Sequence, residues 1–104
     1  MAQALGELHE ALRGTFGPRL VKTVLFGSFA RGEVHEESDV DVLVMVDPRE
    51  PRDGHRAVDD AVSVMLRHPD VVISPLVMTP AELDELRRRE LRLASEIDAQ
   101  GIAL

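Results

Sequence analysis

The sequence predicts an α+β fold in the order αβαβαβα, with a mixed sheet of three or slightly more strands packed with helices. Three observations predict it. An apolar stripe at helical spacing opens the chain. Two runs rich in β-branched and apolar residues, 19–26 and 38–46, stand only about a dozen residues apart, too few for a helical crossover, so they are expected to pair antiparallel. An amphipathic segment of helix length then separates the second run from a third, 70–78, which makes that pair parallel.

Leu5, Leu8, Ala11, Leu12 and Phe16 carry the first helix, and Gly17-Pro18 ends it. His9 lies between polar positions of that helix and is expected to be solvated. After the strand 19–26, a short helical turn is expected from Gly27-Ser28 through Arg31. Glu33, His35, Glu36 and Glu37 then make an acidic, solvated connection. In the strand 38–46, Val40, Val42, Val44 and Val46 share one face, with Asp39, Asp41, Leu43 and Met45 on the other. Residues 47–54 have two prolines and no periodicity, which predicts a surface loop. Arg49, Arg52 and Arg56 are either solvated there or reach a phosphate or a partner.

The helix expected over 55–68 turns Ala57, Ala61, Val64, Met65 and Val58 inward and stops at His68-Pro69. Pro75 marks the third strand as an edge or a bulge. Thr79-Pro80-Ala81-Glu82 has the capping residues of a helix start. A break is expected near Glu90 to Leu91, where the apolar register restarts, and Gly101 is the expected stop. That leaves Ile102-Ala103-Leu104 as an apolar end. Arg87-Arg88-Arg89 forms either a solvated face beside Glu82, Asp84 and Glu85 or a docking patch.

With 104 residues the chain is expected to be one domain, 1–104, large enough for a core but too small to add a polymer-binding domain. A large substrate would have to be recognised with the help of another chain or a second copy. The net charge of −7 argues against general nucleic-acid binding, which needs a basic surface. The absence of cysteine rules out disulfides and thiolate metal sites. No signal peptide or membrane span is visible, so the cytoplasm is the expected location.

The chemistry is concentrated in residues 25–44. Glycine at 27 lets the backbone approach a ligand closely, and the N–H groups of the following turn, with the Ser28 hydroxyl, would form an anion site. Asp39 and Asp41 are spaced i, i+2 on a strand, so both carboxylates share one face about 7 Å apart at Cα and can ligate one Mg²⁺ or a close metal pair.

The pattern Gly-Ser-x-Ala-Arg-Gly, then Ser-Asp-x-Asp, then a hydrophobic strand resembles the signature of the DNA polymerase beta-like nucleotidyltransferase superfamily. In length the chain resembles its minimal nucleotidyltransferase branch, whose members are often paired with HEPN-type toxins. The resemblance implies a triphosphate held by Gly27 and Ser28, with two Mg²⁺ held by Asp39 and Asp41. It also implies transfer of a nucleoside monophosphate from an NTP, ATP first, to a hydroxyl on a partner toxin. Ser38 would orient Asp39. Arg31 would either contact phosphate or pair with a carboxylate such as Asp39.

The departure from that pattern lies in the strand 70–78. Active relatives carry a third carboxylate there as metal ligand and general base, expected two residues before the Ser of Ser-Pro, where this chain has Val72. Asp70 would replace it if the strand start is shifted. In the expected register Asp70 is level with Asp39, and Val72 with Asp41. Two classes of function therefore follow: a transferase, or a weakened copy acting as an antitoxin-like binding module. Some other Mg²⁺-dependent phosphate enzyme is a third, disfavoured by the Gly-Ser turn.

Overall fold

The computed structural model describes residues 2–27 and 38–104. Helix α1 (Ala2–Phe16) is followed by a 3-10 turn at Gly17–Arg19, then β1 (Leu20–Phe26), β2 (Ser38–Val46), α2 (Asp53–Arg67) and β3 (Val71–Met78). Helices α3 (Pro80–Arg88) and α4 (Arg92–Gln100) and the short strand β4 (Ile102–Ala103) complete it. The helical turn expected after Gly27 and the acidic connection lie outside the described residues.

The sheet has the order β3-β2-β1-β4. As expected, β1 and β2 are antiparallel, and β2 and β3 are parallel across the α2 crossover. Alternation along β2 divides the core in two. Val40, Val42, Val44 and Val46 pack with α1 and α2 residues such as Leu8, Leu12, Ala57 and Val64. Leu43 and Met45 point the other way and pack with Leu83, Ala94 and Ile97 of α3 and α4. Four apolar side chains on one face and two on the other thus leave the first two positions of the second face, Asp39 and Asp41, outside both cores.

Helix α2 begins at Asp53, two residues before the expected start, and the cause is tertiary. The Asp53 carboxylate is fully buried and accepts from Arg19 at 2.8 and 3.1 Å and from the Glu50 backbone N–H at 2.8 Å. Arg19 also donates to the Pro48 carbonyl at 2.9 Å, so the 3-10 turn, the 47–52 loop and the start of α2 are tied together. The Arg19 hydrogen bond, ahead of other causes, holds the Asp53 carboxyl below its usual range. Val58, expected inward, is 45% exposed, because Ala57, Ala61 and Val64 already fill the buried face.

Strand β3 is an edge, in keeping with Pro75, and two of its outward N–H groups are capped. The Val71 N–H donates to the His68 carbonyl at 3.0 Å and the Ile73 N–H to Met65 Sδ at 3.3 Å, while Pro75 has no N–H to offer. Such an edge gives little purchase to a further strand. At the start of α3 the Glu82 N–H donates to Thr79 Oγ1 at 3.1 Å, the expected cap. The break near 90 is present, with Glu90 at φ 55° between α3 and α4.

The apolar end forms a strand. Ile102 and Ala103 pair with Leu25 and Val24, and the Leu104 N–H reaches the Thr23 carbonyl at 2.9 Å. The arginine triplet forms a paired, exposed surface. Arg87 is held by Asp98 and Asp84, and Arg88 and Arg89 both by Glu85. Arg49 pairs with Glu82 at 2.8 Å, and Arg56 pairs with Glu50 and Asp53. These arginines are thereby engaged within the fold.

Candidate functional site

Antiparallel β1 leaves the sheet at the end where β2 and β3 enter it, and this end carries the candidate site. Phe26 pairs with Asp41, so Gly27 emerges beside the second aspartate. Gly27 is buried with φ 79°, a conformation that L side chains rarely adopt. An ideal Cβ on Gly27 would lie 3.3 Å from Asp41 Cγ and collide with Oδ2. The two halves of the sequence motif are therefore in contact, and glycine is required for a reason absent from the sequence reading: the close neighbour is the Asp41 carboxylate itself.

That contact makes a prediction. Gly27→Ala should cost about 1–2 kcal/mol from the left-handed backbone alone, and it should push the Asp41 carboxylate out of place. Urea unfolding and a metal titration of the variant check it; unchanged stability and unchanged metal binding would contradict it.

Asp39 and Asp41 project from the same face of β2, Asp39 exposed and Asp41 half-buried. Along β2 the residues of this face that pack with α3 and α4 begin at Leu43, and Phe26 of β1 is buried in the same cluster. Two carboxylates on one face, reachable from solvent, are hard oxygen donors of the kind that Mg²⁺ takes. Among the described residues no group of three or more potential ligands forms. Ser38 begins β2 and pairs with Val71. Ser28 and Arg31 lie outside the described residues.

The third strand stands in a register two residues away from the expected one. Asp39 is level with Val72, and Asp41 with Ser74. Asp70 precedes the strand in the turn after α2, because the Val71 N–H is the first to close back on His68. Asp70 is thus a further step from the aspartates than expected. Val72, 43% exposed, stands directly beside Asp39, where a carboxylate would join the pair. Sequence reasoning missed Ser74 as part of this surface; the Ser-Pro dipeptide was visible, but only the register shows what it faces.

A sequence profile described as nucleotidyltransferase domain matches residues 5–97. Two Methanocaldococcus jannaschii proteins, each named "Putative protein adenylyltransferase", are similar in sequence. One is 36% identical over 76% of this chain and 55% of its own length; the other is 34% identical over 86% and 80%. The chain thus spans little more than half of the first. A crystal structure described as a toxin-antitoxin with AMP-PNP superposes with a TM-score of 0.66, covering 94% of this chain and 69% of that one at 21% identity, a likeness of fold.

Proposed function

The chain belongs to the nucleotidyltransferase domain family, and on that premise we propose that it binds a nucleoside triphosphate with Mg²⁺ and passes the nucleoside monophosphate to a hydroxyl on a partner protein. The single observation that supports this most is the contact of Gly27 with Asp41 beneath the open face that Asp39 shares. ATP is the proposed donor, in keeping with the adenylyltransferase names of the relatives and the AMP-PNP of the structural neighbour.

In this reading Gly27 and Ser28 hold the triphosphate, Ser38 orients Asp39, and Arg31 meets a phosphate oxygen or a carboxylate. Asp39 and Asp41 would hold the metal, which when bound neutralises charge building on the α-phosphate and the leaving pyrophosphate. The acceptor oxygen bonds to the α-phosphorus, the bond from that phosphorus to the bridging oxygen breaks, and pyrophosphate departs. The acceptor proton needs a base. Asp70 is the acid nearest along β3, set back by the register, so it acts through a water or leaves the step to solvent. The partner proposed is a small helical protein of HEPN type, in keeping with the toxin-antitoxin neighbour; a second copy of the chain is the alternative.

Val72 favours a second reading, an antitoxin-like module that binds nucleotide and partner but transfers slowly. A missing general base typically costs about 10²–10⁴ in rate. The test is transfer of label from α-labelled ATP to proteins that co-purify with the chain. Weak transfer by the wild type, raised by Val72→Asp, is expected. Fast transfer that Asp70→Ala abolishes would show that Asp70 is the base and that the site is not weakened.

A further inference from the structure

We propose that Ser74 is a metal ligand of this site, a neutral oxygen level with Asp41 and two residues beyond Val72, where a third carboxylate would stand. The inference rests on the reading of Asp39 and Asp41 as the metal-holding pair. Ser74 is the Cα partner of Asp41 in the parallel β2 and β3 pair, and paired residues of neighbouring strands point to the same face about 4.8 Å apart. It is exposed at the end of the sheet that α3 and α4 leave uncovered. The other β3 residue level with an aspartate, Val72, has no donor atom.

Pro75 fixes the Ser74 backbone. A residue before proline is confined to extended conformations, so the hydroxyl is presented from a stiff strand and not from a loop. The capping of the Val71 and Ile73 N–H groups by α2 and the turn before β3 holds that strand in register. Two carboxylates and one hydroxyl supply two negative charges where three carboxylates would supply three. Cation affinity falls with ligand charge, so the site should hold its metal weakly alone and firmly with a triphosphate, whose oxygens complete the shell. Metal and nucleotide then arrive together, and the nucleotide-free protein stays largely metal-free.

The test titrates Mn²⁺ and Cd²⁺ into the protein, followed by calorimetry, with and without a non-hydrolysable ATP analogue. Ser74→Ala should weaken Mn²⁺ binding to the analogue complex by about 10-fold, a loss of the size known for groups that support metal ligands. Ser74→Asp should raise Mn²⁺ affinity in the absence of nucleotide. Ser74→Cys should raise the ratio of Cd²⁺ to Mn²⁺ affinity by about 10-fold or more, since thiolates select softer metals. A purely structural serine would not change that ratio. If Asp39→Asn with Asp41→Asn abolishes Mn²⁺ binding while the Ser74 variants behave as wild type, the serine inference is overturned alone. If the aspartate variant also binds as wild type, the metal site itself is misplaced and the inference falls with it.

Discussion

The Asp39→Asn, Asp41→Asn double variant is expected to stay folded and to lose metal-dependent nucleotide binding. Both side chains lie at the open end of β2, outside the two apolar clusters that hold the sheet, so neither removes core volume. Asparagine keeps the shape of the side chain that lies against Gly27. What changes is charge. The remaining amide oxygens are poor ligands for Mg²⁺, and a loss larger than the roughly 10–100-fold seen when a ligand's supporting group is removed is expected. Circular dichroism checks the fold, and calorimetry with Mg²⁺ and ATP checks the binding. A folded variant with wild-type affinity would contradict the assignment of these carboxylates.

The largest effect on stability is expected far from that site, at Asp53→Ala. Asp53 is fully buried, and it satisfies Arg19, itself 18% exposed, together with the Glu50 N–H. Removing one member of a buried ion pair leaves the other charge uncompensated and costs about 3–5 kcal/mol. The low end is expected, because Arg19 keeps part of its guanidinium in solvent and retains the Pro48 carbonyl. Against a total of about 5–15 kcal/mol, this would lower the urea midpoint markedly.

The same pair makes stability depend on pH. The Asp53 carboxyl is held below its usual value by Arg19, so it binds protons less readily folded than unfolded. Its contribution is therefore fully present above the unfolded value of about 3.9 and is lost as pH falls through the lower folded value. Urea unfolding between neutral and strongly acidic pH should show that limb in the wild type and a shallower one in Asp53→Ala. Equal slopes would mean that the pair does not differ between the folded and unfolded states.

The parts legible in the sequence were those that depend on local alternation and local breakers. The strand 38–46 has its expected limits because valines alternate with the opposite face for its whole length. The Thr79 cap and the break at 90 were written in adjacent residues. What was not legible depends on partners far along the chain. Nothing near Asp53 shows that Arg19, 34 positions earlier, will bury it and start α2 early. Nothing in Ile102-Ala103 shows a strand, since two residues pair only because β1 offers an unfilled edge.

The site divides along the same line. The spacing of Asp39 and Asp41 was enough to place both on one face, whereas Gly27 was expected to let the backbone approach a ligand, and the close neighbour that the structure shows is within the protein. Which group approaches it, the Asp41 carboxylate, required the antiparallel pairing of Phe26 with Asp41. The register of β3 is fixed by how the turn after His68 closes, and one shift of two residues exchanged Val72 for Ser74 beside Asp41. Periodicity gives a face but not a level along the neighbouring strand.

The central claim is that this end of the sheet binds nucleotide through metal. Calorimetric titration of ATP into the wild-type chain, once with Mg²⁺ and once with a chelator, tests it most directly. Saturable binding with Mg²⁺, lost in chelator, is the predicted result. Equal binding under both conditions, or none under either, would contradict it.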